Sequence, residues 1–245
     1  MRGESASQDH AIVVHGAQGR MGRRIIACAA EVPSIRLVAS LDRGQTETWM
    51  KGPDHADVIL DFSSDGGAQL AVRAALAKHT ALLVGTTALS PKTVDALRMA
   101  AQTVPVLVAP NTSLGVAVMR HLVRQAAAML GPEFDVEIVE RHHRHKVDAP
   151  SGTAKSLAEA CAEGGRTVAS EGIHAQRLGD IIGEHIVCFA GPGEVLELRH
   201  GATSRDLFAR GALRLGVWLS KQAPGWHTVD AWIAQRSLRP KDPPR

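Results

Sequence analysis

Tyrosine is absent from the chain, and Phe and Trp together bring the aromatic content to only 3% of 245 residues. Few platforms therefore exist on which nucleic-acid bases could stack. The formal net charge is +3, and Lys and Arg are scattered rather than massed in a run, so a nucleic-acid footprint is not expected. A mild positive excess suits small anionic ligands instead. No apolar run approaches the roughly 20 residues needed to span a bilayer, and no membrane association is expected. The thiols Cys28, Cys161 and Cys188 lie far apart and form no C-x-x-C pair. They offer neither a disulfide framework nor a cysteine metal site, which points to a reducing compartment. The stretch Met1 to His10 is polar and lacks the apolar middle of a secretory signal, so the cytoplasm is the expected location.

What is present is an ordinary globular composition, 44% hydrophobic and 22% charged, at a length that suggests two domains sharing a boundary element. The first half alternates short apolar runs with helical patterns, the arrangement of a parallel sheet covered by helices. Strands are expected at Ala11–His15, Ile35–Leu41, Val58–Phe62, Ala81–Val84 and Val104–Ala109, each near-continuously apolar as befits burial on both faces. Helices are expected after Gly19, over Ala68–Lys78, and from the capping pair Ser90-Pro91. From Ser113 a long apolar helix runs through Met119, Leu122 and Met129 to the stop at Gly131-Pro132. Alternating runs at Phe134–Val139, Ile186–Phe189 and Val195–Leu198 then read as half-solvated strands of a more open sheet. A helix over Leu207–Lys221 returns the chain to the first domain. The expected fold class is α/β: an N-terminal Rossmann-type doubly wound parallel sheet from residues 1–112 and 207–245, with a C-terminal mixed α+β domain and open sheet from 113–206.

His15-Gly16-Ala17-Gln18-Gly19-Arg20-Met21-Gly22 follows the first strand and opens a helix, where free backbone N–H groups and the helix dipole can hold a pyrophosphate. Three glycines alone could be a tight turn. The next strand adds weight, because it ends at Asp42, about 20 positions past Gly22, where an acid can accept hydrogen bonds from ribose hydroxyls. Arg43 follows at once and could pair with a 2′-phosphate, so either NADH or NADPH fits; a solvated surface charge explains Arg43 equally. Gly85-Thr86-Thr87 and Ala109-Pro110-Asn111 each follow a buried strand, at the carboxyl edge where open α/β sheets collect ligands.

The densest collection of functional side chains is Glu140-Arg141-His142-His143-Arg144-His145-Lys146-Val147-Asp148-Ala149-Pro150-Ser151-Gly152-Thr153. A metal is disfavoured, because Arg141, Arg144 and Lys146 are interleaved with the histidines and oppose another cation. A solvated histidine-rich loop is the plain reading. The sharper one is an anion site that also delivers a proton. Pro150 to Thr153 leads into a helix over Ala154–Ala162, so backbone N–H groups and the Thr153 hydroxyl can grip a carboxylate. Lys146 adds a point charge, and His142 or His143 can act as general acid near neutral pH.

With these residues in view the chain resembles the 4-hydroxy-tetrahydrodipicolinate (dihydrodipicolinate) reductase family of the diaminopimelate route to lysine. The likeness runs from residue 11 to about 233. It rests on Gly16 to Gly22 with Arg20-Met21, Gly85-Thr86-Thr87, Pro110-Asn111, His142-His143-x-x-Lys146-x-Asp148-Ala149-Pro150-Ser151-Gly152-Thr153-Ala154, Gly183-Glu184-His185 and Ser204-Arg205. The resemblance implies a reduced nicotinamide nucleotide, NADH or NADPH, a cyclic dicarboxylate substrate, and a homotetramer joined through C-terminal sheets, with no metal. By resemblance, His142 is the proton donor and Lys146 its partner in acid catalysis. His143, Gly152 and Thr153 bind substrate carboxylates. Gly16, Ala17, Gln18, Gly19, Arg20, Met21, Asp42, Arg43, Gly85, Thr86, Thr87, Ala109, Pro110, Asn111 and Thr112 bind the dinucleotide. Two positions depart from the family's habit: Thr112 stands where an aromatic is common, and Ser64 where some members have Arg. The segments Gly44–Asp57 and Ala162–Gly179 are short for the family. The alternatives are a related reductase acting on another cyclic imine or unsaturated dicarboxylate, and a nucleotide sensor without catalysis. A sensor should have lost its proton donors, and His142 and Lys146 are both there.

Overall fold

A computed structural model describes residues 9–42 and 44–237. Elements alternate through the first part of the chain as β1 (His10–His15), α1 (Arg20–Ala30), β2 (Ile35–Leu41), α2 (Thr46–Lys51), β3 (Val58–Asp61), α3 (Asp65–Lys78), β4 (Ala81–Val84), α4 (Pro91–Ala100) and β5 (Pro105–Val108). They continue with α5 (Leu114–Leu130), β6 (Asp135–His142), α6 (Gly152–Glu163), β7 (Ile173–Arg177), β8 (Glu184–Gly191) and β9 (Glu194–Gly201), and end with α7 (Asp206–Leu219), β10 (Gly225–His227) and α8 (Val229–Ser237). By internal contacts the chain divides into two units: one runs up to Thr112 and resumes at Phe208, and the other is Ser113–Leu207.

The first unit is built on a six-stranded sheet in the order β10-β5-β4-β3-β1-β2, and every neighbouring pair is parallel. Ile12, Val13 and Val14 of β1, and Val58 and Leu60 of β3, are fully buried, because helices cover both faces of a parallel sheet. Strand order reverses beside β1, so the crevice past the carboxyl ends of β1 and β3 is where such a sheet binds its ligand. The second unit has a mixed sheet in the order β7-β6-β8-β9. There β6 and β7 are parallel while β8 is antiparallel to both β6 and β9. One face of this sheet, through Ile138, Val187 and Phe189, packs on Val123 and Ala127 of α5 and Leu157 and Ala160 of α6. Each such large apolar side chain taken out of water contributes about 1.5–3 kcal/mol. The doubly wound parallel sheet and the mixed second sheet anticipated from the pattern of apolar runs are both present.

Several elements differ from the pattern reading, each for a local reason. Helix α3 begins at Asp65 rather than Ala68: Gly66-Gly67 masks the start, but the Ser64 side chain caps it by accepting the N–H of Gly67. Ser64 is thus engaged as a cap. Helix α6 spans Gly152–Glu163 rather than Ala154–Ala162, because Ser151 caps it by accepting the N–H of Ala154. Strand β10, three residues long at a sheet edge, pairs with β5 and was not anticipated, being too short to show alternation. Strand β7 arises inside the short 162–179 segment as an edge strand against β6, and α2 inside the 44–57 segment.

Candidate active site

The first unit gathers its polar groups at the carboxyl ends of β1, β3 and β4. Gly16 adopts φ 81°, and a Cβ there would stand 2.5 Å from the Phe62 carbonyl oxygen; only glycine permits this turn. At Gly22 a Cβ would lie 2.2 Å from the Gly16 carbonyl, so the loop and the first turn of α1 close on each other. Gly19 caps α1 without a side-chain bond, and no acid stands in the first turn. The positive end of the helix is therefore left for an anion.

A cavity of about 440 Å³ opens beside it, lined by Gly19, Arg20, Met21, Phe62, Ser63, Gly85, Thr86, Thr87, Pro110, Thr112 and Phe208. The pocket thus brings together much of the set expected for the dinucleotide. Gly16, Ala17, Gln18, Asp42, Ala109 and Asn111 are not on its wall. Ala17 and Ala109 are buried, which leaves them only backbone to offer. The Asp42 carboxylate accepts the Gln18 N–H at 3.1 Å, and Arg43 lies outside the described residues. Thr112 turns its hydroxyl to the Phe208 carbonyl at 2.7 Å, and Phe62 and Phe208 supply the aromatic surface of the pocket instead. Beneath it, fully buried Asp61 accepts hydrogen bonds from Ser63 Oγ and Thr86 Oγ1, each at 2.6 Å. His15 Nδ1 hydrogen-bonds the same carboxyl at 2.6 Å, and Ser63 N–H donates to Thr86 Oγ1 at 2.8 Å. His15, Asp61, Ser63 and the two phenylalanines escaped the sequence reading; the polar residue just before Gly16 was the one available signal.

In the second unit, strand periodicity puts Glu140 and His142 of β6 on the same, covered face. Glu140 is 0% exposed and His142 8%. His142 Nδ1 lies 2.5 Å from Glu140 Oε2. Arg177 of β7 grips the same carboxylate with a fork, Nη1 on Oε2 and Nη2 on Oε1, both at 2.7 Å, and Ser151 N–H donates to Oε1 at 3.0 Å. Burial pushes the Glu140 carboxyl up, but the Arg177, His142 and Ser151 bonds more than reverse this and hold it below the ordinary carboxylate value. Burial likewise lowers the His142 imidazole, against the upward pull of Glu140.

His185 of β8 lies edge-on to His142, ring centres 5.2 Å apart, and its Nε2 meets Ser151 Oγ at 3.1 Å. Burial and the neighbouring His142 charge push its pKa down to about 4, so it is neutral near pH 7. Lys146 Nζ pairs with Asp148 Oδ1 at 2.6 Å, while His143 is half-buried beside His145. Of the N–H groups up to Thr153 expected to capture a carboxylate, that of Ser151 is engaged by Glu140; the N–H of Ala154, just beyond, is taken by the Ser151 hydroxyl, and Gly152 and Thr153 lie between them in the first turn. Among the described residues no group of three His, Cys, Asp or Glu side chains is arranged to hold a metal ion.

Gly183 lies against the other imidazole nitrogen: a Cβ there would sit 3.0 Å from His142 Nε2. A Cβ there asks the His142 ring to give by a few tenths of an ångström, so Gly183→Ala should leave the melting temperature nearly unchanged and lower kcat by about tenfold, less than the ~10²-fold that a full ångström at a reacting atom can bring. Steady-state kinetics with a thermal melt checks it, and wild-type turnover in the alanine variant would show that Nε2 works elsewhere.

Two family models match the chain, described as the N-terminus of dihydrodipicolinate reductase over residues 10–112 and its C-terminus over residues 115–233. A 4-hydroxy-tetrahydrodipicolinate reductase of Campylobacter jejuni is 39% identical, the match covering 91% of this chain and 98% of the relative. One from Zymomonas mobilis is 40% identical over 87% of this chain and 93% of its own length. Among solved structures, a dipicolinate-bound dihydrodipicolinate reductase from Paenisporosarcina superposes with a TM-score of 0.73 at 23% identity, covering 90% of this chain and 97% of that one. That likeness speaks to the fold.

Proposed function

The chain belongs to the dihydrodipicolinate reductase family, and from that membership we propose how its two units divide the work. The reaction is the family's: 4-hydroxy-tetrahydrodipicolinate takes up a hydride and a proton and loses water to give tetrahydrodipicolinate, a step of lysine biosynthesis through diaminopimelate. A nicotinamide dinucleotide, when bound, supplies the hydride. The first unit's pocket fits such a group, since a Cβ at Gly16 would fill the turn and the α1 N-terminus carries no cap of its own. There Gly16 to Met21 take the pyrophosphate, Asp42 the adenosine ribose, and Gly85 to Thr87 with Ala109 to Thr112 frame the nicotinamide half.

The second unit takes the diacid. Lys146, His143 and the first turn of α6 at Gly152 and Thr153 bind its carboxylates, and His142 presents the proton from Nε2. The observation that carries this reading is one short segment holding both a buried, carboxylate-tethered imidazole and the cationic and helix N-terminal groups that suit a carboxylate. A planar dicarboxylate and a dinucleotide repel each other, so each having its own cradle removes a cost to binding both. We assign the oligomer as a homotetramer through the second unit's sheet, supported by exposed Val195 and Leu196 on its edge strand β9. The cytoplasm is the location that suits a biosynthetic step and free thiols at Cys28, Cys161 and Cys188.

Purified protein offered 4-hydroxy-tetrahydrodipicolinate should oxidise both NADH and NADPH, followed by the loss of reduced-nicotinamide absorbance; failure with both would end this reading. We place the 2′-phosphate of NADPH on Arg43. Arg43→Ala should then lower NADPH efficiency relative to NADH by about tenfold, the worth of one charge-assisted bond. An unchanged ratio makes Arg43 a bystander.

A further inference from the structure

Glu140 is a carboxylate with no exposure to water. Such a group persists only if paired and hydrogen-bonded, because an uncompensated buried charge is costly. Here the compensation is complete: both oxygens take bonds, from the two terminal nitrogens of Arg177, from Ser151 N–H and from His142 Nδ1. Arg177 reaches it because β7 runs parallel to β6 with Arg177 opposite His142. Three fixed donors, Arg177 Nη2 and Ser151 N–H on Oε1 and Arg177 Nη1 on Oε2, keep it ionised, and an ionised acceptor demands a proton on the nitrogen facing it. The neutral imidazole of His142 therefore carries its proton on Nδ1 and its lone pair on Nε2, the nitrogen that faces Gly183. Taking up a second proton on Nε2 gives an imidazolium whose charge is met by Glu140.

We propose that Glu140, clamped by Arg177, is the positioning residue of the acid: it sets the His142 tautomer, fixes the ring, and meets the charge of the imidazolium. This rests on the reading of His142 as proton donor. The charged and titratable groups that face the His142 ring are Glu140 on its own strand, Arg177 from β7, His185 from β8 and Lys146 from the following loop. Lys146 and Arg177 oppose protonation, and Glu140 alone of the four favours it. His185, held neutral, adds no like charge beside it.

A glutamine at 140 would turn its carbonyl to Arg177 and its NH₂ to His142 Nδ1, inverting the tautomer, as amide-for-carboxylate exchange does in hydrolytic triads. The test is kinetics of the full-length E140Q, H142Q and E140Q/H142Q proteins across pH. E140Q should lower kcat by at least about tenfold, with KM for nucleotide and diacid within about twofold and the alkaline fall of kcat moved to lower pH. The double variant should be no slower than H142Q. Wild-type kcat and pH profile in E140Q, beside a slow H142Q, would overturn the proposal, as would losses that multiply in the double variant. Wild-type turnover in H142Q itself would instead sink the reading beneath it. Should E140Q not fold, nitrogen NMR of the wild-type His142 ring decides: a neutral ring protonated on Nδ1 supports the assignment, and one protonated on Nε2 overturns it.

Discussion

His142→Gln is expected to reduce turnover by about 10²-fold or more while nucleotide affinity stays within about twofold, since a general acid contributes that much and touches only the transition state. The geometry makes the prediction specific. His142 is tethered through Nδ1 to a carboxylate that is itself fully bonded, so Nε2 is the titrating atom. Glutamine can occupy the same space and accept or donate hydrogen bonds, but it cannot gain and lose a proton near neutral pH. The pH dependence follows from the direction of the shift. Burial first, and the Lys146 and Arg177 charges after it, lower the imidazole from 6.5 despite Glu140. The acid form of the free enzyme is then full at low pH and is lost as pH rises through a value below 6.5. The log of kcat/KM should fall on the alkaline side from that point in the wild type, and this limb should vanish in His142→Gln. Steady-state profiles with saturating nucleotide read both. Turnover unchanged by the substitution would remove His142 from the chemistry.

Where a signal in this chain is periodic or punctuated, the sequence reads correctly. The buried runs of β1, β3 and β4 are apolar along their whole length because the sheet is covered twice, and Ser90-Pro91 opens α4 with the Ser90 side chain accepting from Thr93 N–H. Pairwise geometry is another matter. Glu140 stands at the head of the basic segment two positions before His142, the spacing of one strand face, but the apolar alternation ends at Val139 while β6 runs on to His142, and nothing in the sequence says that Arg177, 37 residues on, comes alongside by parallel pairing. The same holds for Phe208, which reaches the first unit's pocket from α7, and for His15 and Asp61, joined across β1 and β3. Long-range register, rather than composition, decides those contacts. One cap departs from its expectation: by its place before Gly152, Ser151 reads as part of an anion grip. Its N–H and hydroxyl are instead engaged in holding Glu140, Ala154 and His185.

Lys146→Ala should damage both halves of the second unit's task, lowering kcat/KM for the diacid by about 10- to 10²-fold, the worth of one hydrogen bond to a charged group, about 1.5–3 kcal/mol. The size follows from what the substitution leaves behind. Lys146 Nζ bonds Asp148 Oδ1 at 2.6 Å, and that bond is the foremost reason the Asp148 carboxyl is held below its ordinary value. Without the lysine, Asp148 remains an anion across neutral pH, since even its ordinary value is 3.8. The diacid then loses an attraction and meets a repulsion. The sign on His142 runs the other way: Lys146 lowers its proton affinity, so the alanine variant should hold the His142 proton to higher pH and the alkaline limb should move upward even as the rate falls. Removing both charges separates the two effects. Lys146→Ala with Asp148→Ala should recover part of the KM for the diacid, because the repulsion is gone, but little of kcat, because the cation that accompanies proton delivery is still missing. Nucleotide affinity, measured by direct titration, should hold steady in both variants; a change confined to nucleotide affinity would place the basic segment at the wrong ligand.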